Sequence, residues 1–152
     1  WSKLSRRITV ESKKAGGDAN AAQLRAIIEQ ARKENMTREN IERAVQKGTA
    51  SDAAALESIT YETYGPGGAA IIISTLTDSR NRTAQEIKHL LSDMGLALAS
   101  PGSAAWAFEK IGESYPPKTP VALSETDHAK LVEILEKIDA HDDVEEVFTN
   151  AE

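Results

Sequence analysis

Residues 69–76, AAIIISTL, constrain the fold more than any other stretch of this 152-residue chain. The run is continuously apolar and rich in β-branched isoleucine. It is bounded by Gly65-Pro66-Gly67-Gly68 on one side and Thr77-Asp78-Ser79 on the other. Such a run reads as a central strand covered on both faces. The flanking patterns supply the covers. Ile59, Tyr61 and Thr63 alternate with Thr60, Glu62 and Tyr64, as in a half-buried strand. Asp78 or Ser79 caps a helix whose buried stripe is Ala84, Ile87, Leu90, Leu91 and Met94, closed by Gly95. A short strand is expected over 96–99, a turn over 100–103, and a strand over 104–109 with Trp106 and Phe108 in the core. After an extended connector at 115–120, Ser124 to Asp127 reads as a capping box. The helix that follows is expected to bury Ala129, Val132, Leu135 and Ile138. Val144, Val147 and Phe148 mark a last strand. From residue 69 onward the order is that of a split βαβ unit.

Before residue 50 the apolar period is helical instead. Leu4 and Ile8, with Trp1, make one stripe, and Gly16-Gly17-Asp18 ends it. Asn20 is the expected cap of a second helix with Leu24, Ile27, Ile28 and Ala31 inside, ending at Asn35. Thr37 caps a third, with Ile41, Ala44 and Val45 inside and Gly48 as its stop. Small residues over 50–56 read as a linker. The expectation is an α+β protein: a basic three-helix domain over 1–50, then a ferredoxin-like βαββαβ domain over 57–152 with an extra hairpin strand.

The formal charge of −6 hides an uneven distribution. Residues 1–50 carry +5, residues 51–110 carry −3 and residues 111–152 carry −8. A basic head on an acidic body suggests a polyanion held by the head. No cysteine is present, which excludes disulfides, thiolate metal sites and thiol nucleophiles. No apolar run approaches the length of a membrane span. GPGG lacks the Lys-Ser/Thr of a phosphate loop, and no nucleophile elbow or paired acid–base carboxylates stand out. His89 and His128 read as surface residues, and His141-Asp142-Asp143 as a solvated acidic loop. No enzyme, cofactor or metal is expected. Arg80, Asn81 and Arg82 stand at a helix start, where the dipole disfavours cations. A right-handed crossover would bring the turn at 100–103 to the same sheet edge, and the set would suit a phosphate. The competing reading is that Asp78 and Glu86 neutralise both arginines.

Several motifs occur in one order: GGD at 16–18, LRAI at 24–27, NMTRENIERA at 35–44, KGT at 47–49, YETYGPGG at 61–68, LTDSRNRTAQEIKH at 76–89, GSAAWAFE at 102–109 and NAE at 150–152. In these the chain resembles the YebC family, whose mitochondrial member is a translational activator of cytochrome c oxidase. The resemblance implies three domains, the third inserted in the second. This sequence departs from it twice: the basic HSKW-like start is absent before Trp1, and the insertion is missing near 112–115. The resemblance implies a translation factor that binds ribosomal RNA and transfer RNA on the ribosome and relieves stalling. The alternative is a DNA-binding transcriptional regulator. The nucleic-acid contacts would come from Lys3, Arg6, Arg7, Lys13, Lys14, Arg25, Arg32, Lys33, Arg38, Arg43 and Lys47 of the head. Arg80, Asn81 and Arg82 would add a second contact. The protein would act as a monomer, away from membranes, in the bacterial cytoplasm or the mitochondrial matrix.

Overall fold

The structure is a computed structural model that describes residues 2–49, 56–112 and 114–152. Trp1 and most of the expected linker lie outside the described residues. The chain divides into two compact units, Trp1–Leu56 and Glu57–Glu152.

The first unit holds three helices, α1 (Ser2–Ala15), α2 (Ala22–Lys33) and α3 (Arg38–Thr49). Their apolar stripes meet in one core of Leu4, Ile8, Leu24, Ile27, Ile28, Ala31, Met36, Ile41 and Ala44. Thr37 caps α3 through its hydroxyl, which accepts the Asn40 amide at 3.2 Å. Asn35 ends α2 in the left-handed conformation, φ 63°. Two expectations are corrected. Asn20 does not cap α2: its amide donates to Asp18 Oδ1 at 3.0 Å, and Ala21 stands at the cap without a side-chain bond. The Asp18 carboxylate has already organised that turn. Gly48 is not a stop either. It is buried inside α3, where a Cβ would lie 2.4 Å from the Thr9 carbonyl oxygen. Here glycine serves the close approach of α1. The crossing is fastened by Thr9 Oγ1 donating to the Ala44 carbonyl at 3.1 Å and Ser12 Oγ to the Val45 carbonyl at 2.7 Å.

The second unit is built on β1 (Glu57–Tyr64), β2 (Ala70–Thr77) and β3 (Val144–Thr149), with α4 (Arg80–Asp93) and α5 (Glu125–Asp139). The sheet order is β1-β2-β3, antiparallel throughout, so β2 is central as expected. Its side chains alternate between two cores. Ile71 and Ile73 pack with Ile87, Leu91, Leu131, Ile138 and Val144 under the helices. Ala70 and Ile72 pack on the other face with Ala104, Ala107 and Phe108. The class is α+β. Ser124 caps α5, accepting the Asp127 amide at 3.1 Å. That helix turns a different stripe inward from the one read in the sequence. Leu131 and Ile138 are buried with Ile134 and Leu135 beside them, while Ala129 and Val132 are exposed.

The two strands expected over 96–99 and 104–109 do not form. The first contributes a single bridge, Ala99 to Glu62, and the second contains a 3-10 turn, Ala105–Ala107. The turn at 100–103 therefore does not share an edge with Arg80 and Arg82. α4 runs about 21 Å at 1.5 Å per residue and returns the chain to the Tyr64–Ala70 end of the sheet. The segment stays there because Glu62 binds its amides.

Candidate nucleic-acid interface

Helix α1 carries five cations and one acid. At about 100° per residue, Lys3, Arg6, Arg7, Lys13 and Lys14 fall within an arc of about 120°. Leu4, Ile8 and Ser12 occupy the opposite side and are buried. The only acid, Glu11, lies toward the core-facing side, and Lys14 reaches it at 3.6 Å. The sequence folds this way because aliphatic residues at 4 and 8 fix which face turns inward. The cations then have one face left. Arg7, Lys13 and Lys14 are exposed, and Lys3 and Arg6 are half-buried.

The other head cations are more mixed. Arg25 pairs with Glu29 at 3.5 Å on α2, and Arg38 with Glu42 at 2.9 Å on α3. Arg43 donates to Asn40 Oδ1 at 3.4 Å. Arg32 and Arg38 both line a cleft of about 320 Å³, together with Ile28, Ile41, Glu42 and Val45. Lys33 and Lys47 are exposed elsewhere on α2 and α3. The eleven head cations thus do not share one face, and α1 carries the largest group of them on one side of a single helix.

At the start of α4, Arg80, Asn81 and Arg82 occupy the first turn. Arg80 pairs with Glu57 at 3.0 Å. Arg82 touches Asp78 at 3.3 Å, Glu86 at 3.2 Å and Asp143 at 3.0 Å. The Asp143 side chain has 0% exposure. It also accepts from Thr83 Oγ1 at 2.8 Å. Asp143 is therefore part of the core, not of a solvated loop. Hydrogen bonding to Asp143 raises the Arg82 pKa above its ordinary value, outweighing the lowering by burial. His141 Nδ1 accepts the Asp143 amide at 3.1 Å, so Nε2 carries the proton offered to Glu86 at 2.8 Å. Ligand atoms of Glu86, His141 and Asp143 lie within 4.8 Å of one another, but the Arg82 guanidinium already occupies both carboxylates. The arrangement ties α4 to the turn before β3.

A second polar device in this unit does not follow from the alternation along β1, which would turn Glu62 toward solvent. Glu62 is buried on β1, and its carboxylate accepts the amides of Gly102 at 2.6 Å, Ala104 at 2.8 Å and Ala105 at 2.7 Å. Three charge-assisted bonds hold the 100–105 loop on the sheet. Tyr64 donates its hydroxyl to the Ser103 carbonyl and accepts the Trp106 indole N–H at 2.8 Å. Trp106 itself is 54% exposed, contrary to the expected core position. The 3-10 turn points Trp106 outward while Ala107 and Phe108 stay inside. The motif around Glu62 was visible in the sequence, but only the loop placement gives that carboxylate its partners.

Comparison with known proteins decides the family. The model described as the TACO1/YebC protein N-terminal domain matches residues 1–51, and that for the TACO1/YebC second and third domain matches residues 56–115. The chain belongs to the TACO1/YebC family. A Chlorobaculum parvum relative is 46% identical over 134 residues, 87% of this chain and 53% of its own length. A Petrotoga mobilis relative is 40% identical over 157 residues, 100% of this chain and 62% of its own length. Both are named probable transcriptional regulatory protein. The chain thus spans 53% and 62% of the length of these TACO1/YebC relatives. The crystal structure of the conserved hypothetical protein Aq1575 from Aquifex aeolicus matches with a TM-score of 0.88 at 27% identity, over 99% of this chain and 88% of that one. Among the described residues of this TACO1/YebC member, no helix is long and apolar enough to cross a membrane.

Proposed function

We propose that this chain is a non-catalytic regulatory protein that grips a nucleic-acid backbone with the basic face of α1. The observation that carries the reading is the clustering of Lys3, Arg6, Arg7, Lys13 and Lys14 opposite the buried side of that helix. Contacts of this kind position a protein on phosphates and are largely blind to base sequence. Arg80 and Arg82 already answer carboxylates, so the α4 start adds at most an auxiliary contact. The names of the relatives favour transcription as the process regulated, and DNA as the target; action as a monomer in the bacterial cytoplasm belongs to the same proposal. In the competing reading, the same face holds ribosomal RNA and transfer RNA during translation.

A salt titration tests the grip. If all five cations contact phosphates of a labelled DNA duplex, log K should fall against log salt with a slope of about −4.5. Arg6→Glu with Arg7→Glu should reduce that slope by about 2. An unaltered slope in the double variant would rule out α1 as the anchor. Tighter binding to structured RNA, with cosedimentation on ribosomes, would replace DNA by RNA as the target.

A further inference from the structure

Helix α5 turns a charged face to solvent whose sign is opposite to that of α1. Leu131 and Ile138 fix its buried side. An arc of about 100°, clear of that side, holds Glu125, His128, Ala129, Val132, Glu136 and Asp139, all exposed. No lysine or arginine falls in that arc. Lys130 and Lys137 lie about 120–140° round the helix from Glu125, and Lys137 meets Glu133 there at 3.5 Å. Among the described residues no salt bridge holds Glu125 or Glu136. Between these acids Val132 is left 41% exposed. The faces of α1 and α5 share one spacing. On α1, Lys3 precedes Val10 by seven residues and Lys14 follows it by four. On α5, Glu125 precedes Val132 by seven residues and Glu136 follows it by four. Each set forms a stripe about 40° wide and about 16.5 Å long. Laid parallel, the two stripes bring valine to valine, Lys3 to Glu125 and Lys14 to Glu136.

We propose that the basic face of α1 in one copy of this chain docks on the acidic face of α5 in a second copy, and that this contact regulates the nucleic-acid grip. It rests on the reading of α1 as the gripping face, and adds what covers that face when no nucleic acid does. The complementarity is local: opposite charges stand at matched heights on either side of an apolar centre. A single helix-on-helix stripe of this length falls below the size of a stable interface, so the association is weak and reversible. Carboxylates of α5 then stand where phosphates would stand. A nucleic-acid backbone, with its denser charge, displaces them from the same cations. The protein self-associates at rest and binds nucleic acid as a monomer.

Sedimentation velocity of the full chain, at low salt and without nucleic acid, tests the contact. Association should grow with protein concentration and fade as salt is added. Lys3→Glu with Lys14→Glu, or Glu125→Lys with Glu136→Lys, should each raise the dissociation constant at least about tenfold, since two attractions become repulsions. Val132→Asp, at an exposed position, should weaken association as well. Mixing the two charge-reversed variants should restore it, because each then offers the face that the other has lost, and recovery shows that both fold. An oligomer that none of these variants weakens would overturn the proposal, as would folded variants whose mixture stays monomeric. A labelled DNA duplex added to the oligomer should release monomeric complexes; a duplex that leaves the oligomer intact would remove the regulatory role. A wild-type chain that stays monomeric while its α1 salt slope persists sinks this contact alone. Intact self-association without that slope sinks the gripping face instead.

Discussion

Replacing Gly48 by alanine sets two effects of opposite sign against each other. In an isolated helix the change is favourable by about 1 kcal/mol, because alanine is the better helix former. In this bundle the new methyl would lie 2.4 Å from the Thr9 carbonyl oxygen and 2.8 Å from Ser12 Cβ. Comfortable carbon–oxygen contact begins near 3.3 Å, so α1 must retreat by about 0.9 Å. Overpacking of that kind costs about 1–3 kcal/mol. The retreat also stretches the Thr9–Ala44 and Ser12–Val45 hydrogen bonds at the same crossing, each worth about 1 kcal/mol. With both bonds lost, the sum is a net destabilisation of about 2–4 kcal/mol. At roughly 4–8 °C per kcal/mol for a small domain, the melting midpoint of the helical unit should fall by about 10 °C or more. Circular dichroism at 222 nm during thermal unfolding of the full chain measures it. An unchanged or raised midpoint would show that propensity outweighs packing, and that α1 and α3 are not in the contact described.

Glu62→Ala should cost roughly 3 kcal/mol, since it leaves three loop amides without their acceptor. In the Trp1→Phe background, Trp106 emission should lose anisotropy as the loop loosens; an unchanged anisotropy would contradict the clamp. Tyr61→Phe should stabilise the second unit by about 1 kcal/mol, because the buried Tyr61 hydroxyl has no hydrogen-bond partner among the described residues. Denaturant unfolding at neutral pH reads that gain, and a loss of stability would reveal a partner for the hydroxyl. Burial raises the Tyr61 pKa above 10.0, with Arg80 partly offsetting it. The neutral phenol is thus the form the fold prefers. That contribution is fully present below pH 10 and is lost as pH rises through the raised value. Tyr61→Phe should flatten the alkaline decline accordingly, as chemical denaturation between pH 9 and 11 will show.

The sequence by itself determined the period of each segment and therefore the kind of element it forms. Isoleucines in a run made β2 the centre of a sheet. Leu4 and Ile8 fixed which side of α1 turns inward, and so which side the lysines and arginines must take. Thr37 and Ser124 marked their helix starts because capping depends on a hydroxyl a few residues from an amide. Tertiary structure decided everything that rests on partners distant in the chain. Gly48 reads as a helix stop until α1 is laid against it. Residues 96–109 read as two strands until Glu62, some forty residues earlier, claims their amides. Trp106 reads as core until a 3-10 turn points it outward, and Asp143 reads as solvated until Arg82 and Thr83 close over it. Local pattern records which face of an element is apolar. A buried carboxylate's partners, the approach of two helices and the side an indole faces are set by long-range packing.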